Sequence, residues 1–390
     1  MKVKNPYNWK DLASLSGNLM RPALVNNFFD NSPIEEKEIL EIFRRISGKH
    51  NGRLMTTLRA YKGGRSEEHE YKILTTPPEK CESLQGWSNN IFNGEPFAII
   101  LNRAERWSVS VADFVANVIS EISEQDSLLE LNVESVIFMG NYGYSPFGIH
   151  QDYDSTKSIH IPLTTTRKSM FLWTVDEYAA NAGTLRNCYE PSKLIDTGTE
   201  YNYTLGDVFF LPSDYYHIGH SPNFSLSLSI VLSHSRADEC LGNIINALTC
   251  YYGQNWKSNP VMSNLSLCKT IELAKIHHEN QRLSNFCLSG TIEYRNTTLK
   301  IDRNRAFSVV KPFKIKYEKN EALIIYIRGE AMKFNESSES PYTDDLVLLI
   351  EQLNAGTPTS IRGAVEIVRN LSLDATEYIF RLLIESHMIR

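Results

Sequence analysis

Apolar residues recur at helical spacing in several stretches and at strand spacing in others. Ser32-Pro33-Ile34-Glu35 predicts a helix start, with Ser as N-cap, Pro at the first helical position and Glu closing a capping box. Ile39, Leu40, Phe43 and Ile46 follow on one face, and Gly48 and Gly52 bracket the end. A second helix starts at Ser110 with Asp113 and carries the stripe Val111, Phe114, Val115, Val118, Ile119, Ile122. Between them, residues 53–104 read as strands and loops, Phe97 to Leu101 being the clearest strand. Val133 to Met139 is an apolar strand. Ser158-Ile159-His160-Ile161 and Ser225-Leu226-Ser227-Leu228-Ser229-Ile230 alternate polar with apolar, so each predicts a strand with two unlike faces. The pattern leaves open whether those serines face an interior or water. Residues 174–203 read as a long polar loop. Gly206-Asp207 reads as a turn, Val208 to Leu211 as a short strand, and Pro212 as its stop.

Further on, Asp238 to about Ser284 turns helical, with Leu241, Ile244, Ile245 and Leu248, then Leu267, Ile271 and Leu273. Strand-like runs Phe313 to Tyr317 and Leu323 to Ile327 precede a low-complexity loop, Asn335 to Ser340. Asp344 to Leu353, Ile361 to Val368 and Leu373 to Ile389 then read as helices.

A chain of 390 residues has room for two or three domains. With 42% hydrophobic and 22% charged residues, it has the composition of a soluble globular protein. The net charge of −6 argues against a general nucleic-acid or anionic-membrane surface. The first residues lack an apolar signal segment, and no run approaches the ~18 apolar residues of a membrane helix. The six cysteines, Cys81, Cys188, Cys240, Cys250, Cys268 and Cys287, form no C-x-x-C pair, so neither zinc nor a disulfide framework is expected. The expected compartment is a reducing cytoplasm.

The chemistry concentrates between Asn141 and Ser233. His150 and Asp152 are two apart, so an extended segment points them to one side. A second imidazole, His217, follows the Gly206–Pro212 turn, strand and stop. Two imidazoles and one carboxylate can hold one face of an octahedral metal and leave the other open. His220 is the rival for His217, but three residues along a strand it faces the other way. The plainer alternative is a structural His and a surface Asp that never meet. Tyr142 and Tyr144 are expected to share one face, which could line the same interior or simply pack.

Phe147 to Asp152, Lys168 to Trp173 and Gly206 to His217 resemble segments of the JmjC and cupin-like Fe(II)- and 2-oxoglutarate-dependent oxygenases. The likeness covers about a quarter of the chain. It implies an α+β fold with a double-stranded β-helix (jelly roll) core and flanking helices. It also implies Fe(II) held by His150, Asp152 and His217. Lys168 would hold the far carboxylate of 2-oxoglutarate, with Arg167 as runner-up. His160 stands where many of these proteins carry Asn beside the cosubstrate, and Tyr144 is counted with His160 as a cosubstrate contact. The layout further implies a catalytic domain over 1–237, a helical dimerisation region over 238–300 and a winged-helix-like module over 301–390. In that module Arg362, Arg369 and Arg381 are balanced by Glu366, Asp374 and Glu377, so it is expected to dock protein rather than nucleic acid. The implied activity is hydroxylation of a protein or peptide side chain by a homodimer, with 2-oxoglutarate converted to succinate. A small-molecule or peptide-natural-product hydroxylase is one alternative, and a non-catalytic cupin-like binding module is another.

Overall fold

The computed structural model describes residues 8–49, 55–80, 82–123, 125–153, 155–234, 237–253, 267–294, 300–320, 322–337 and 340–390. The chain divides into two units, Met1–Ile122 with Val133–His234, and Ser123–Asn132 with Ser235–Arg390. The helical region expected over 238–300 and the module expected over 301–390 thus fall in one unit.

The first unit begins with α1 (Trp9–Leu15), β1 (Ala23–Val25), α2 (Glu36–Lys49), β2 (Leu58–Tyr61), α3 (Glu67–Thr75) and α4 (Leu84–Phe92). Next come β3 (Ala98–Asn102), α5 (Val109–Ile122), β4 (Leu131–Gly140), β5 (Gly143–Tyr144), β6 (Lys157–Pro162) and β7 (Lys168–Thr174). It closes with α6 (Val175–Ala182), β8 (Thr199–Tyr203), β9 (Val208–Leu211), β10 (Tyr215–Ser221) and β11 (Ser225–His234). The α2 stripe is buried as expected, through Ile39, Leu40, Phe43 and Ile46. The Ser32 hydroxyl, however, donates to the Ile34 carbonyl, and α2 starts only at Glu36.

Two expectations fail for a shared reason. Residues 53–104 contain helices α3 and α4, and 174–203 contains α6. Each has a capping hydroxyl: Ser66 accepts from His69 N–H, Ser83 from Gly86 N–H, and Thr174 from Glu177 N–H. Thr174 and Glu177 form a full capping box. These helices span only eight or nine residues. Caps and tertiary packing, more than a long apolar stripe, define helices that short.

Seven strands form one sheet in the order β1-β9-β6-β11-β4-β3-β2, and four form another in the order β5-β10-β7-β8. From β4 to β11 the chain passes repeatedly between the two sheets, and the pairings recorded within them are antiparallel. Met170, Leu172 and Tyr203 of the four-stranded sheet pack with Phe209 and Leu211 of the other, so these faces enclose a common core. The opposite face of the four-stranded sheet is covered by α6 and the segment after it, around Trp173, Tyr178, Tyr216 and Ile218.

The second unit contains α7 (Ala237–Gly253) and α8 (Leu267–Leu283). The stretch 254–266 between them, part of the expected helical region, lies outside the described residues. Then follow β12 (Ala306–Phe307), β13 (Lys316–Lys319), β14 (Ala322–Ile327), β15 (Glu330–Ser337), α9 (Pro341–Asn354), β16 (Thr359–Ser360), α10 (Ile361–Ile367) and α11 (Leu373–Glu385). Strand β15 continues through residues 335–337, where a loop was expected. Pairing to β14 holds that stretch extended in spite of its polar composition, with Ser337 opposite Ala322. No described helix is long and apolar enough to cross a membrane.

Candidate metal centre

His150 and His217 face each other across an isolated antiparallel bridge to β10: each backbone N–H donates to the other's carbonyl, at 3.1 and 2.7 Å. Their rings lie 4.4 Å apart, centroid to centroid. Asp152, two residues beyond His150, turns its carboxylate toward both. Its oxygens lie 3.6 Å from His150 Nε2 and 4.0 Å from His217 Nε2. One ligand atom from each residue, all mutually within 4.8 Å, could hold a single ion. His217 lies within β10.

Backbone carbonyls set the tautomers. His150 Nδ1 lies 3.0 Å from Gly148 O, and His217 Nδ1 lies 3.4 Å from Tyr215 O. A carbonyl only accepts, so each Nδ1 carries the proton and each Nε2 lone pair is left for a metal. Burial holds the His217 imidazole well below its usual range, at about 4; Asp152 raises it and His150 lowers it further. Neutral His217 is the form that can ligate.

The segment that carries His150 needs Gly148. Its φ is +69°, and a Cβ there would lie 2.4 Å from Cys188 O. That close approach lets Ile149 and Cys188 exchange backbone hydrogen bonds at 2.8 and 3.0 Å. The segment after α6 is thereby fastened beside the segment that carries His150. Gln151 adds a bond from its side-chain amide to Ser213 O, 3.1 Å away.

Lys168 begins β7 and faces the interior, where it is 5% exposed. Its ammonium donates to Ser227 Oγ at 2.9 Å and lies 5.8 Å from the centre of the Tyr142 ring. It has no carboxylate partner among the described residues. Arg167 points outward and donates to Asn202 at 2.9 Å. His160 sits near both Lys168 and His217. Its two ring nitrogens lie 2.9 Å from Ser158 Oγ and 2.9 Å from Ser229 Oγ. Burial, then the Lys168 ammonium and His217, pushes this imidazole down to about 3, so it is neutral near pH 7.

Ser225, Ser227 and Ser229 are all buried, and Ser227 and Ser229 bond to Lys168 and His160. The alternation in β11 therefore turns its serines inward, a choice the pattern had left open. The alternation was the signal for Ser227 and Ser229; the register of the second sheet supplied the face.

Tyr142 and Tyr144 do not share a face. Gly143 between them has a φ of +64°, which breaks strand alternation. Tyr142 lies by Lys168, whereas Tyr144 pairs with His220 across β5 and β10 and packs on its ring at 4.6 Å. Tyr144, counted at sequence level with the cosubstrate contacts, is thus on the sheet face opposite His217. His220 is on that face too.

No family model matches the chain, and no curated protein matches it. Among solved structures, the fold is similar to that of the ribosomal oxygenase YcfD from Escherichia coli. The alignment covers 100% of this chain and 99% of that one, with a TM-score of 0.52 and 11% identity. Another structure of YcfD, in complex with cobalt and succinic acid, gives a TM-score of 0.51 at 9% identity and covers 99% of both chains. At such identities the likeness is one of fold.

Proposed function

We propose that this chain is an Fe(II)- and 2-oxoglutarate-dependent dioxygenase that hydroxylates a side chain of a protein or peptide. One observation carries the reading: a His-Asp-His cluster shares an interior with a buried ammonium that has no carboxylate partner among the described residues. A buried charge without its counterpart is costly, so Lys168 calls for an anion. Two imidazole nitrogens and a carboxylate oxygen are a donor set that suits Fe(II) and leaves an open face. The passage of the chain between two sheets supports a double-stranded β-helix core, and the fold likeness to a ribosomal oxygenase agrees with it.

When bound, Fe(II) with 2-oxoglutarate supplies dioxygen activation coupled to cosubstrate decarboxylation, giving succinate and a hydroxylated substrate carbon. The chain's own groups then have distinct work. His150 and His217 present Nε2 because carbonyls hold their Nδ1 protons. Asp152 supplies negative charge at the same point. Lys168, steadied by Ser227 and Tyr142, holds the far carboxylate. His160 is fixed as a neutral ring by Ser158 and Ser229, and adds no competing charge. Met170, Leu172 and Phe209 wall the interior against water.

The polypeptide substrate is supported by the likeness to a ribosomal oxygenase and by helices α9, α10 and α11, which with the small sheet β13-β14-β15 suit a winged-helix docking module. Self-association is supported by α7, which exposes Leu241 (59%) and Ile245 (61%) one turn apart. The test incubates the protein with Fe(II), 2-oxoglutarate and ribosomal proteins, and follows succinate and substrate mass. Succinate with a gain of ~16 Da on a polypeptide is the expected result, since hydroxylation adds one oxygen. A protein that holds metal yet forms no succinate with any substrate would instead be a binding module.

A further inference from the structure

A polar pocket is lined by residues of the C-terminal unit alone. It has a volume of about 530 Å³ and is lined by Asn280 of α8, Lys314 just before β13, Lys316 and Tyr317 of β13, and Glu351 and Asn354 of α9. That size is within the range of small-molecule sites. Strand β13 is an edge of its three-stranded sheet, so this end of the sheet is not covered by another strand. The backbone just before it is held: the Asn354 side chain accepts from Ile315 N–H at 3.0 Å and donates to Ile315 O at 2.8 Å. Lys314 and Lys316 flank that clamp.

The carboxylates nearby are already engaged. Glu351 takes the Tyr317 hydroxyl. Glu318 takes the Asn280 amide at 3.1 Å, the Asn320 amide at 3.4 Å and the Tyr326 hydroxyl. Lys319, by contrast, pairs with Asp344 at 2.6 Å. Neither Lys314 nor Lys316 has a carboxylate partner among the described residues. Lys316 is half-buried, and burial together with the Lys314 charge lowers its pKa, as expected of two neighbouring cations without a counter-ion.

We propose that this cavity binds a small oxyanion, a carboxylate or phosphate group, between Lys314 and Lys316. None of its residues belongs to the metal cluster, and the proposal does not rest on the oxygenase reading. The full-length protein would be reductively methylated with a 13C label, which keeps lysine charged, and titrated with inorganic phosphate and, separately, with acetate. Lysine signals would be assigned by single substitutions and followed by NMR.

Saturable shifts of the Lys314 and Lys316 signals are expected, with one anion or with both; the preferred anion identifies the source. Lys316→Ala and Lys314→Ala should each weaken binding about tenfold, the scale of one charge-assisted hydrogen bond. Lys319→Ala should leave it within about twofold, because that ammonium already has Asp344. Glu351→Gln should tighten it, by removing a like charge from the wall. Linear shifts shared by exposed lysines would mean screening only and would overturn the site. So would unchanged binding in both lysine variants that still fold.

Discussion

The four-stranded sheet carries histidine and aromatic side chains on both faces. Toward the core lie Lys168, Met170, Leu172, Tyr203 and His217; on the other face lie Phe171, Trp173, Tyr216, Ile218 and His220. Three donors on the outer side, those of Trp173, Tyr178 and Tyr216, are satisfied within the protein. Trp173 Nε1 donates to Thr197 Oγ1 at 2.9 Å, Tyr178 to Arg186 O at 2.7 Å and Tyr216 to Leu185 O at 2.6 Å. The inner side gathers two imidazole nitrogens aimed at one carboxylate, and an ammonium that bonds a hydroxyl and has no carboxylate partner among the described residues. Residue type does not distinguish the faces. What sets the inner side apart is that its imidazole nitrogens converge on one carboxylate and its ammonium has no carboxylate partner among the described residues.

The contrast is tested most severely at the two histidines of β10. His217→Ala should cost well over a hundredfold in metal affinity, since even outer-shell partners of metal ligands are worth about 10–100-fold. His220→Ala should leave metal content unchanged. Metal analysis after equilibration with Fe(II) or Mn(II) checks both; equal losses would erase the distinction between the faces.

Next in size is Trp173→Ala. It should destabilise the fold by about 3–5 kcal/mol, the usual cost of truncating a buried aromatic. In whatever fraction remains folded, metal affinity should be near normal. Urea unfolding and metal titration separate the two effects.

Lys168→Ala should raise the 2-oxoglutarate requirement about a hundredfold while metal binding persists, because only the far carboxylate loses its partner. Arg167→Ala, on the outward side, should do little. Titration of succinate formation against 2-oxoglutarate in both variants reads this directly, and a damaging Arg167→Ala would place the cosubstrate elsewhere.

The smallest effect is in the pH dependence of stability. The folded His160 pKa is depressed from 6.5 to about 3, so the unfolded chain takes the proton first as pH falls. Stability is therefore lost from about pH 6.5 down toward 3 and levels off below that. At pH 5 the loss from this one group is on the order of 1–2 kcal/mol. His160→Asn, which cannot titrate, should flatten that part of the acid limb in urea unfolding at pH 7 and pH 5. An unchanged slope would mean that His160 is not held neutral by its surroundings.

Much of this was legible along the chain. The two-residue step from His150 to Asp152 and the turn, strand and Pro212 before His217 mark the cluster locally. Strand parity alone puts Lys168 and Arg167 on opposite sides, and His217 and His220 likewise. The buried stripes of α2 and α5 were readable for the same reason: each depends on spacing within one element. The short helices α3, α4 and α6 were not, because eight or nine residues hold too few turns for a stripe to stand out from a loop.

By itself, then, the sequence determined which residues could ligate a metal and which neighbours in a strand must diverge. These follow from backbone geometry over a few residues. Only the tertiary structure decided which face was the interior. It turned Ser227 and Ser229 toward Lys168 and His160, and the positive φ of Gly143 sent Tyr142 to Lys168 and Tyr144 to the far side. Alternation labels two faces without saying which one a second sheet will cover. That choice is made by contacts between residues such as Lys168 and Ser227, fifty-nine positions apart in the chain.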